Sequence, residues 1–121
     1  MGNSFNIQLK IVSDVPVIYI EGDMTSEADS EIIEKYNEIS NKDSLKNIIV
    51  NFEKTNYINS AGLATLINVI HAMESHGGVV ILTKLTAHFL RVMDIIGITD
   101  LVSIFDTDEE AIQFIHSSSK K

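Results

Sequence analysis

The chain has no cysteine and no tryptophan, and only one proline among its 121 residues. The missing cysteines exclude a disulfide framework, a thiolate metal site and a catalytic thiol, and they favour a reducing compartment such as the cytoplasm. Long apolar runs are missing as well, since no segment approaches the ~18 uninterrupted apolar residues of a membrane-spanning helix. The N-terminus also lacks the charged and apolar regions of a signal peptide. We therefore expect a soluble, cytoplasmic protein that neither crosses a membrane nor is secreted.

Basic residues are scarce, with 9 Lys and Arg against 17 Asp and Glu and a formal net charge of -8. Phosphate backbones and anionic lipids bind through basic patches, so the composition disfavours nucleic acid and membrane surfaces as partners. Two interpretations of the acidity remain open: a solubilising surface, or a docking face for a basic patch on another protein.

The first part of the chain has the pattern of an antiparallel hairpin. Ile7, Leu9 and Ile11 alternate with polar residues, which predicts a half-buried strand with these three side chains on one face. A short turn leads to a second, β-branched run that Gly22 closes. Pro16 favours an edge position for this second strand, because proline has no N–H to donate to a neighbouring strand.

The remainder of the chain alternates between helices and apolar strands. Residues 48–50 and 79–82 are continuous apolar runs, as is typical of parallel strands covered on both faces. The helix between them stops at Gly77-Gly78, so the three elements predict a right-handed crossover. Thr86 is placed to cap a third helix, and Thr107 begins a capping box for a fourth.

These patterns predict one α/β domain over residues 1–121, with an ordered core at about 5–116 and a polar tail at 117–121. Its sheet is mixed, with about five strands and about four helices. The predicted strands are residues 6–13, 17–20, 48–52, 79–82 and 101–105. The predicted helices run from a cap at Thr25 or Ser26 to Ile39, from Ser60 to His76, from Thr86 to Ile96 and from Thr107 to Ile115.

Metal and cofactor sites find little support in the sequence. His71 and His76 lie about 140° apart around a helix, so they cannot share an ion from one face. The other two histidines, His88 and His116, fall on separate helices without the carboxylate spacing of a metal site. The chain has neither G-x-G-x-x-G nor a Walker Gly-Lys pair, so no phosphate-cradling loop is predicted. We expect neither a metal nor a cofactor.

Ser60 lies at the start of the predicted helix that follows the third predicted strand. As the helix N-cap, its oxygen would accept a hydrogen bond from an early backbone N–H. A hydrolase nucleophile is disfavoured, because Ile58 replaces the first glycine of G-x-S-x-G and no motif places a histidine. We therefore predict no enzyme. Phosphorylation is the other interpretation, since a helix N-terminus accommodates a phosphate and the small Ala61 and Gly62 leave room for another protein's active site. The cap and the phosphorylation site both remain open from the residues alone.

The stretch Asn59-Ser60-Ala61-Gly62-Leu63, preceded by Val50-Asn51-Phe52 and by Gly22, resembles the anti-sigma factor antagonists of the STAS domain family. The resemblance covers nearly the whole chain and implies the STAS fold. It also implies a bacterial, non-enzymatic regulator that binds an anti-sigma factor and so frees a sigma factor for transcription. The anti-sigma factor would be a serine protein kinase that carries the ATP. Phosphorylation of Ser60 would end the binding, and a metal-dependent Ser/Thr phosphatase would restore it.

The resemblance further implies a partner surface made of two segments, one after the second strand and one at the start of the central helix. Asn59 and Thr25 stand where the family usually has Asp, and each keeps a hydrogen-bonding side chain. Met24 is either an adaptable apolar contact or an ordinary core residue. The alternative function is a STAS scaffold or transporter-associated subunit that binds without phosphorylation, and we expect a monomer or a weak homodimer. The predicted partner-binding residues are Asp23, Met24, Thr25, Ser26, Asn59, Ser60, Ala61, Gly62, Leu63 and Ala64.

Overall fold

The computed structural model describes residues 5–25, 29–40, 47–75 and 77–118. Within these ranges, six strands form one sheet with helices on both faces. The strands are β1 (Phe5–Val12), β2 (Val15–Met24), β3 (Asn47–Asn51), β4 (Thr55–Ile58), β5 (Val79–Thr83) and β6 (Ser103–Phe105). The helices are α1 (Asp29–Ser40), α2 (Ser60–Ser75), α3 (Ala87–Ile95) and α4 (Asp108–Ser118), with a short 3-10 helix at Ile98–Asp100. The predicted α/β class, with a mixed sheet and four helices, is confirmed.

Three predicted features lie outside the described residues: Ser26, His76 and the end of the polar tail at 119–121. None of the helices that the structure describes is both long and apolar enough to cross a membrane.

The hairpin at the start of the chain is confirmed, with β1 and β2 paired antiparallel from Phe5↔Gly22 to Val12↔Val15. The chain reverses at Ser13 and Asp14, whose φ angles of 50° and 69° are the positive values that a type I′ turn requires. Ile11 lies on the same face of β1 as Ile7, as predicted, because the pairing with β2 has no register shift. It is nevertheless 63% exposed, and β1 is an edge strand of the sheet.

The expectation that Pro16 marks an edge strand is wrong, because β2 lies between β1 and β3 in the strand order β1-β2-β3-β5-β6. Pro16 is the second residue of β2, and the parallel pairing with β3 begins one residue later, at Val17↔Ile49. The missing N–H of Pro16 therefore interrupts no hydrogen bond of that ladder.

β4 is the strand that the sequence pattern does not reveal. It has four residues and pairs in parallel with the end of β2, from Gly22↔Thr55 to Met24↔Ile58. Thr55 is its one buried residue, and Asn56 and Tyr57 are exposed. Neither an apolar run nor an alternation therefore marks β4 in the sequence. Its position decides where α2 begins.

Alternate residues of the central strands face two separate cores. On β3, Ile48 and Val50 belong to the core under α1, α2 and α3, whereas Ile49 belongs to the core under α4. β5 pairs in parallel with β3, from Asn47↔Val79 to Asn51↔Thr83, which confirms the parallel strands of the predicted crossover. Because both faces of these strands are covered, their sequences are continuously apolar.

The two predicted helix caps at Thr86 and Thr107 are confirmed. The Thr86 hydroxyl accepts a hydrogen bond from the Phe89 N–H at 3.1 Å, and the Thr107 hydroxyl accepts one from the Glu110 N–H at 3.1 Å. Gly97 follows α3 in the left-handed conformation, with a φ of 87°. The predicted cap of α2 differs from the structure and is described with the site.

Candidate partner-binding and phosphorylation site

The two segments of the predicted partner surface lie side by side. β4 pairs with the end of β2 so that Asp23 lies opposite Tyr57 and Met24 opposite Ile58. The Asn59 N–H then donates to the Met24 carbonyl oxygen at 3.2 Å. The chain segment after Gly22 and the start of α2 are therefore joined by backbone hydrogen bonds.

Asn59, and not Ser60, caps α2. The Asn59 side-chain oxygen accepts a hydrogen bond from the Gly62 N–H at 2.9 Å, and its backbone carbonyl accepts one from the Leu63 N–H at 2.9 Å. Asparagine is among the strongest N-caps, because its side-chain oxygen satisfies an N–H that has no partner within the helix. The prediction that Ser60 is the cap is therefore wrong. Ser60 is the first residue of α2, and its side chain is exposed.

Gly62 is required by the close approach of α2 to the end of β2. A Cβ atom at Gly62 would lie 2.2 Å from the carbonyl oxygen of Met24 and 2.8 Å from the carbonyl carbon. Both atoms belong to the backbone, so no side-chain rotation relieves the overlap. Gly62 is buried, which corrects the expectation that its small size serves the approach of another protein.

Met24 lies in the core, with 0% of its surface exposed. This corrects the expectation that its thioether contacts a partner, because no part of the side chain reaches the surface. Asp23 is exposed and Thr25 is half-buried, and Ser26 is outside the described residues.

On α2, Ala61 and Leu63 are half-buried and Ala64 is exposed. The accessible part of the predicted surface therefore consists of Asp23, Thr25, Asn59, Ser60, Ala61, Leu63 and Ala64.

A groove at the first turn of α2 adds α3 to this surface. It has a cavity volume of about 90 Å³ and lies between β4, the first turn of α2 and one face of α3. Tyr57 at its edge is 53% exposed, and Leu63 and Val92 are half-buried. The α3 residues lie far from Ser60 in sequence, so no local pattern could have placed them here. The groove is lined by Asn56, Tyr57, Ile58, Leu63, His88, Phe89, Val92 and Met93.

A second polar cluster lies on the α4 side of the sheet, and sequence reasoning missed it. The Asp108 carboxylate accepts hydrogen bonds from the Thr83 hydroxyl at 2.6 Å, from the Asn51 amide at 3.0 Å and from the Tyr19 hydroxyl at 3.4 Å. The Asn51 side-chain oxygen in turn accepts from the Glu53 N–H at 2.8 Å. These hydrogen-bonded residues, which we call the Asp108 cluster, hold the first residue of α4 at the ends of β3 and β5.

The signal for the Asp108 cluster in the sequence is weak. Asn51 and Thr83 are polar residues that directly follow apolar strand runs, and they are 3% and 0% exposed. Buried polar groups need hydrogen-bond partners, but the sequence does not say which residue supplies them. In the structure, burial and the nearby Asp108 carboxylate, with the hydrogen bond to it, raise the pKa of Tyr19 above its ordinary value of 10.0.

The fold and the capped β4-α2 junction together define a small α/β domain with an exposed serine at the start of α2. The STAS domain family model matches residues 6–111. The chain belongs to the STAS domain family.

Solved structures agree with this assignment and include both anti-sigma factor antagonists and a transporter-family protein. The unphosphorylated anti-sigma factor antagonist SpoIIAA is 25% identical, with a TM-score of 0.75 over 92% of this chain and 98% of that one. An anti-sigma factor antagonist from Mycobacterium paratuberculosis is 13% identical, with a TM-score of 0.80 over 93% and 95%. A sulfate transporter family protein from Wolinella succinogenes is 13% identical, with a TM-score of 0.74 over 93% of both chains. The resemblance seen in the sequence is confirmed.

The assignment of the α2 cap to Asn59 predicts effects of different size at two neighbouring positions. Asn59→Ala should lower the free energy of unfolding by about 1 kcal/mol, because the Gly62 N–H loses its partner. Ser60→Ala should change it by less than about 0.5 kcal/mol, because Ser60 is exposed and does not cap. Urea denaturation followed by circular dichroism measures both. A larger loss for Ser60→Ala than for Asn59→Ala would contradict the assignment.

The raised pKa of Tyr19 predicts a loss of stability in alkali. The folded state holds the Tyr19 proton more tightly than the unfolded state, so this contribution is complete below pH 10.0 and is lost as the pH rises toward the folded-state pKa. Tyr19→Phe should therefore reduce the fall in unfolding free energy as the pH rises above 10.0. Tyr57→Phe, at a tyrosine that is 53% exposed, is the control and should keep the wild-type slope. Equal slopes for Tyr19→Phe and the wild type would refute the coupling.

Proposed function

We propose that this STAS domain is an anti-sigma factor antagonist: it binds an anti-sigma factor, frees a sigma factor for transcription, and is switched off by phosphorylation of Ser60. The observation that carries the proposal is the exposed Ser60 side chain in the first turn of α2. Because Asn59 caps the helix, the Ser60 hydroxyl is not committed to the cap. It is therefore available to a kinase without loss of a structural hydrogen bond.

A phosphate on Ser60 would change the surface and leave the fold intact. It would bring ~1.5 to 2 negative charges to a helix N-terminus, where the dipole favours them. The exposed Asp23 is on the neighbouring strand, and the whole chain already carries a net charge of -8. Added negative charge at this place raises the cost of removing water from the surface and repels acidic groups of a partner.

The binding surface consists of the start of α2 together with the groove that Tyr57, Leu63, His88 and Val92 line. A half-buried leucine beside an exposed tyrosine is the kind of site that receives an apolar side chain of a partner. Ser60 is close in sequence to the groove residue Leu63, so a phosphate on Ser60 would border the docked side chain. Binding and phosphorylation would thus use one surface.

The partner in this proposal is a serine protein kinase that brings its own ATP, and a Ser/Thr phosphatase reverses the reaction. The sequence contains no phosphate-cradling loop that would hold a nucleotide in this chain. The protein itself would act without catalysis and without a metal, in the cytoplasm, where sigma factors work.

A phosphorylation-independent scaffold or a transporter-associated subunit is the second candidate. Two observations favour it: the structural likeness to a sulfate transporter family protein, and the replacement of family acids by Asn59 and Thr25. The binding surface would be the same, but Ser60 would not be modified.

Phosphate transfer to Ser60 distinguishes the two candidates. Incubation with the cognate kinase and ATP should add one phosphate to the intact mass of the wild type and none to Ser60→Ala. Ser75→Ala is the matched control, because Ser75 is an exposed serine at the opposite end of α2. Phosphate on Ser75→Ala but not on Ser60→Ala supports the switch. Binding to the kinase without any mass gain would leave the scaffold.

Affinity for the kinase tests the proposed surface. Leu63→Ala and Tyr57→Ala should each weaken binding by roughly 10- to 30-fold, because each removes an apolar contact at the groove. Ser60→Asp should weaken binding by at least about 10-fold, because the substitution places a negative charge in the turn of α2 next to the groove. Val79→Ala truncates a residue that is 40% exposed on another part of the fold and should bind like the wild type. Isothermal titration calorimetry measures these affinities. Unchanged binding by Leu63→Ala, Tyr57→Ala and Ser60→Asp would rule out this surface.

A further inference from the structure

The outward face of α3 carries exposed apolar residues. Phe89 and Met93 bury the opposite face, with 8% and 1% of their surfaces exposed. Leu90 is 40% exposed and Ile95 is 76% exposed. Two large aliphatic side chains are therefore exposed on the half of α3 that faces away from the core.

This face also carries charges of both signs. Arg91 is the only arginine of the chain, and it is exposed together with Asp94 three residues later. At 100° per residue, Arg91 and Asp94 lie near the middle of the outward face, with Leu90 on one side and Ile95 on the other. We call these four residues the α3 face.

The α3 face is complementary to itself. When two copies of α3 cross antiparallel about a two-fold axis between residues 92 and 93, Arg91 of each copy lies level with Asp94 of the other. The same symmetry brings two copies of Leu90 to one side of the charges and two copies of Ile95 to the other. An isologous interface of this kind forms the same ion pair twice and covers the apolar residues.

We propose that the α3 face is the contact surface of a homodimer, in which two copies pair through reciprocal Arg91–Asp94 ion pairs flanked by Leu90 and Ile95. Arginine and large apolar residues are enriched in protein interfaces, which agrees with this composition. The face of one nine-residue helix is at the small end of interface sizes. The net charge of -8 on each copy also opposes association, so the dimer is weak and depends on concentration. The inference does not depend on phosphorylation of Ser60.

The ion pairs allow a test by charge reversal. Sedimentation equilibrium between about 10 μM and about 500 μM should show the wild-type mass rising from one chain toward two. Arg91→Asp alone and Asp94→Arg alone should each raise the dissociation constant at least about 10-fold, because like charges then face each other. The double variant Arg91→Asp/Asp94→Arg should restore the wild-type constant, and so should an equal mixture of the two single variants.

Two controls separate this result from other effects. Lys54→Asp reverses an exposed cation on the turn before β4 and should leave the dimer unchanged. Asp94 also accepts a hydrogen bond from the Thr99 hydroxyl at 2.9 Å, which the double variant loses as well, so recovery of the dimer cannot come from that bond. A single-chain mass over the whole concentration range would overturn the proposal. Failure of the double variant to recover the dimer would do the same. The proposal would also be overturned if Ile95→Ser left the dimer unchanged and weakened only binding to the kinase.

Discussion

The contact between the first turn of α2 and the carbonyl group of Met24 is the constraint on which the site depends. Gly62 lets the two backbones meet, the Asn59 N–H bonds to the Met24 oxygen, and the Asn59 side chain caps the helix. These three interactions fix the direction in which α2 leaves the sheet. Since α2 carries Ser60 at its first position and Leu63 one turn later, the same contact sets the position of the hydroxyl group relative to the groove.

The sheet gives this contact a rigid support. β3 and β5 are buried on both faces, and α4 is fastened to their ends by the Asp108 cluster. β4 is short and largely exposed, but it pairs with β2 and thereby holds the segment after Gly22 beside Asn59. The core therefore holds in place the backbone that carries the accessible side chains of the site. Met24 and Gly62 are buried and act only by supporting that backbone.

Two surfaces of the fold have different chemistry. The surface around Ser60 joins an exposed hydroxyl, an exposed aspartate and, one turn along α2, a groove, which are the features that the proposed phosphorylation switch would use. The α3 face joins one arginine, one aspartate and two aliphatic residues in an arrangement that matches its own two-fold image. Both surfaces use α3, whose buried side holds it against the core through Phe89 and Met93.

Much of the fold followed from the sequence, because periodicity and caps are local properties. The hairpin, the crossover from β3 to β5, and the caps at Thr86 and Thr107 each depend on residues close together in the chain. The family was also readable, since the stretch from Asn59 to Leu63 is continuous. Tertiary structure decided which of two adjacent residues caps α2, since Asn59 and Ser60 are both good caps and only the hydrogen bond to Met24 places Asn59. It also decided that Met24 is buried, that α3 lines the groove, and that Asp108 bonds to Asn51 and Thr83. These contacts join segments that are far apart in the sequence, so no local pattern predicts that they are close in space.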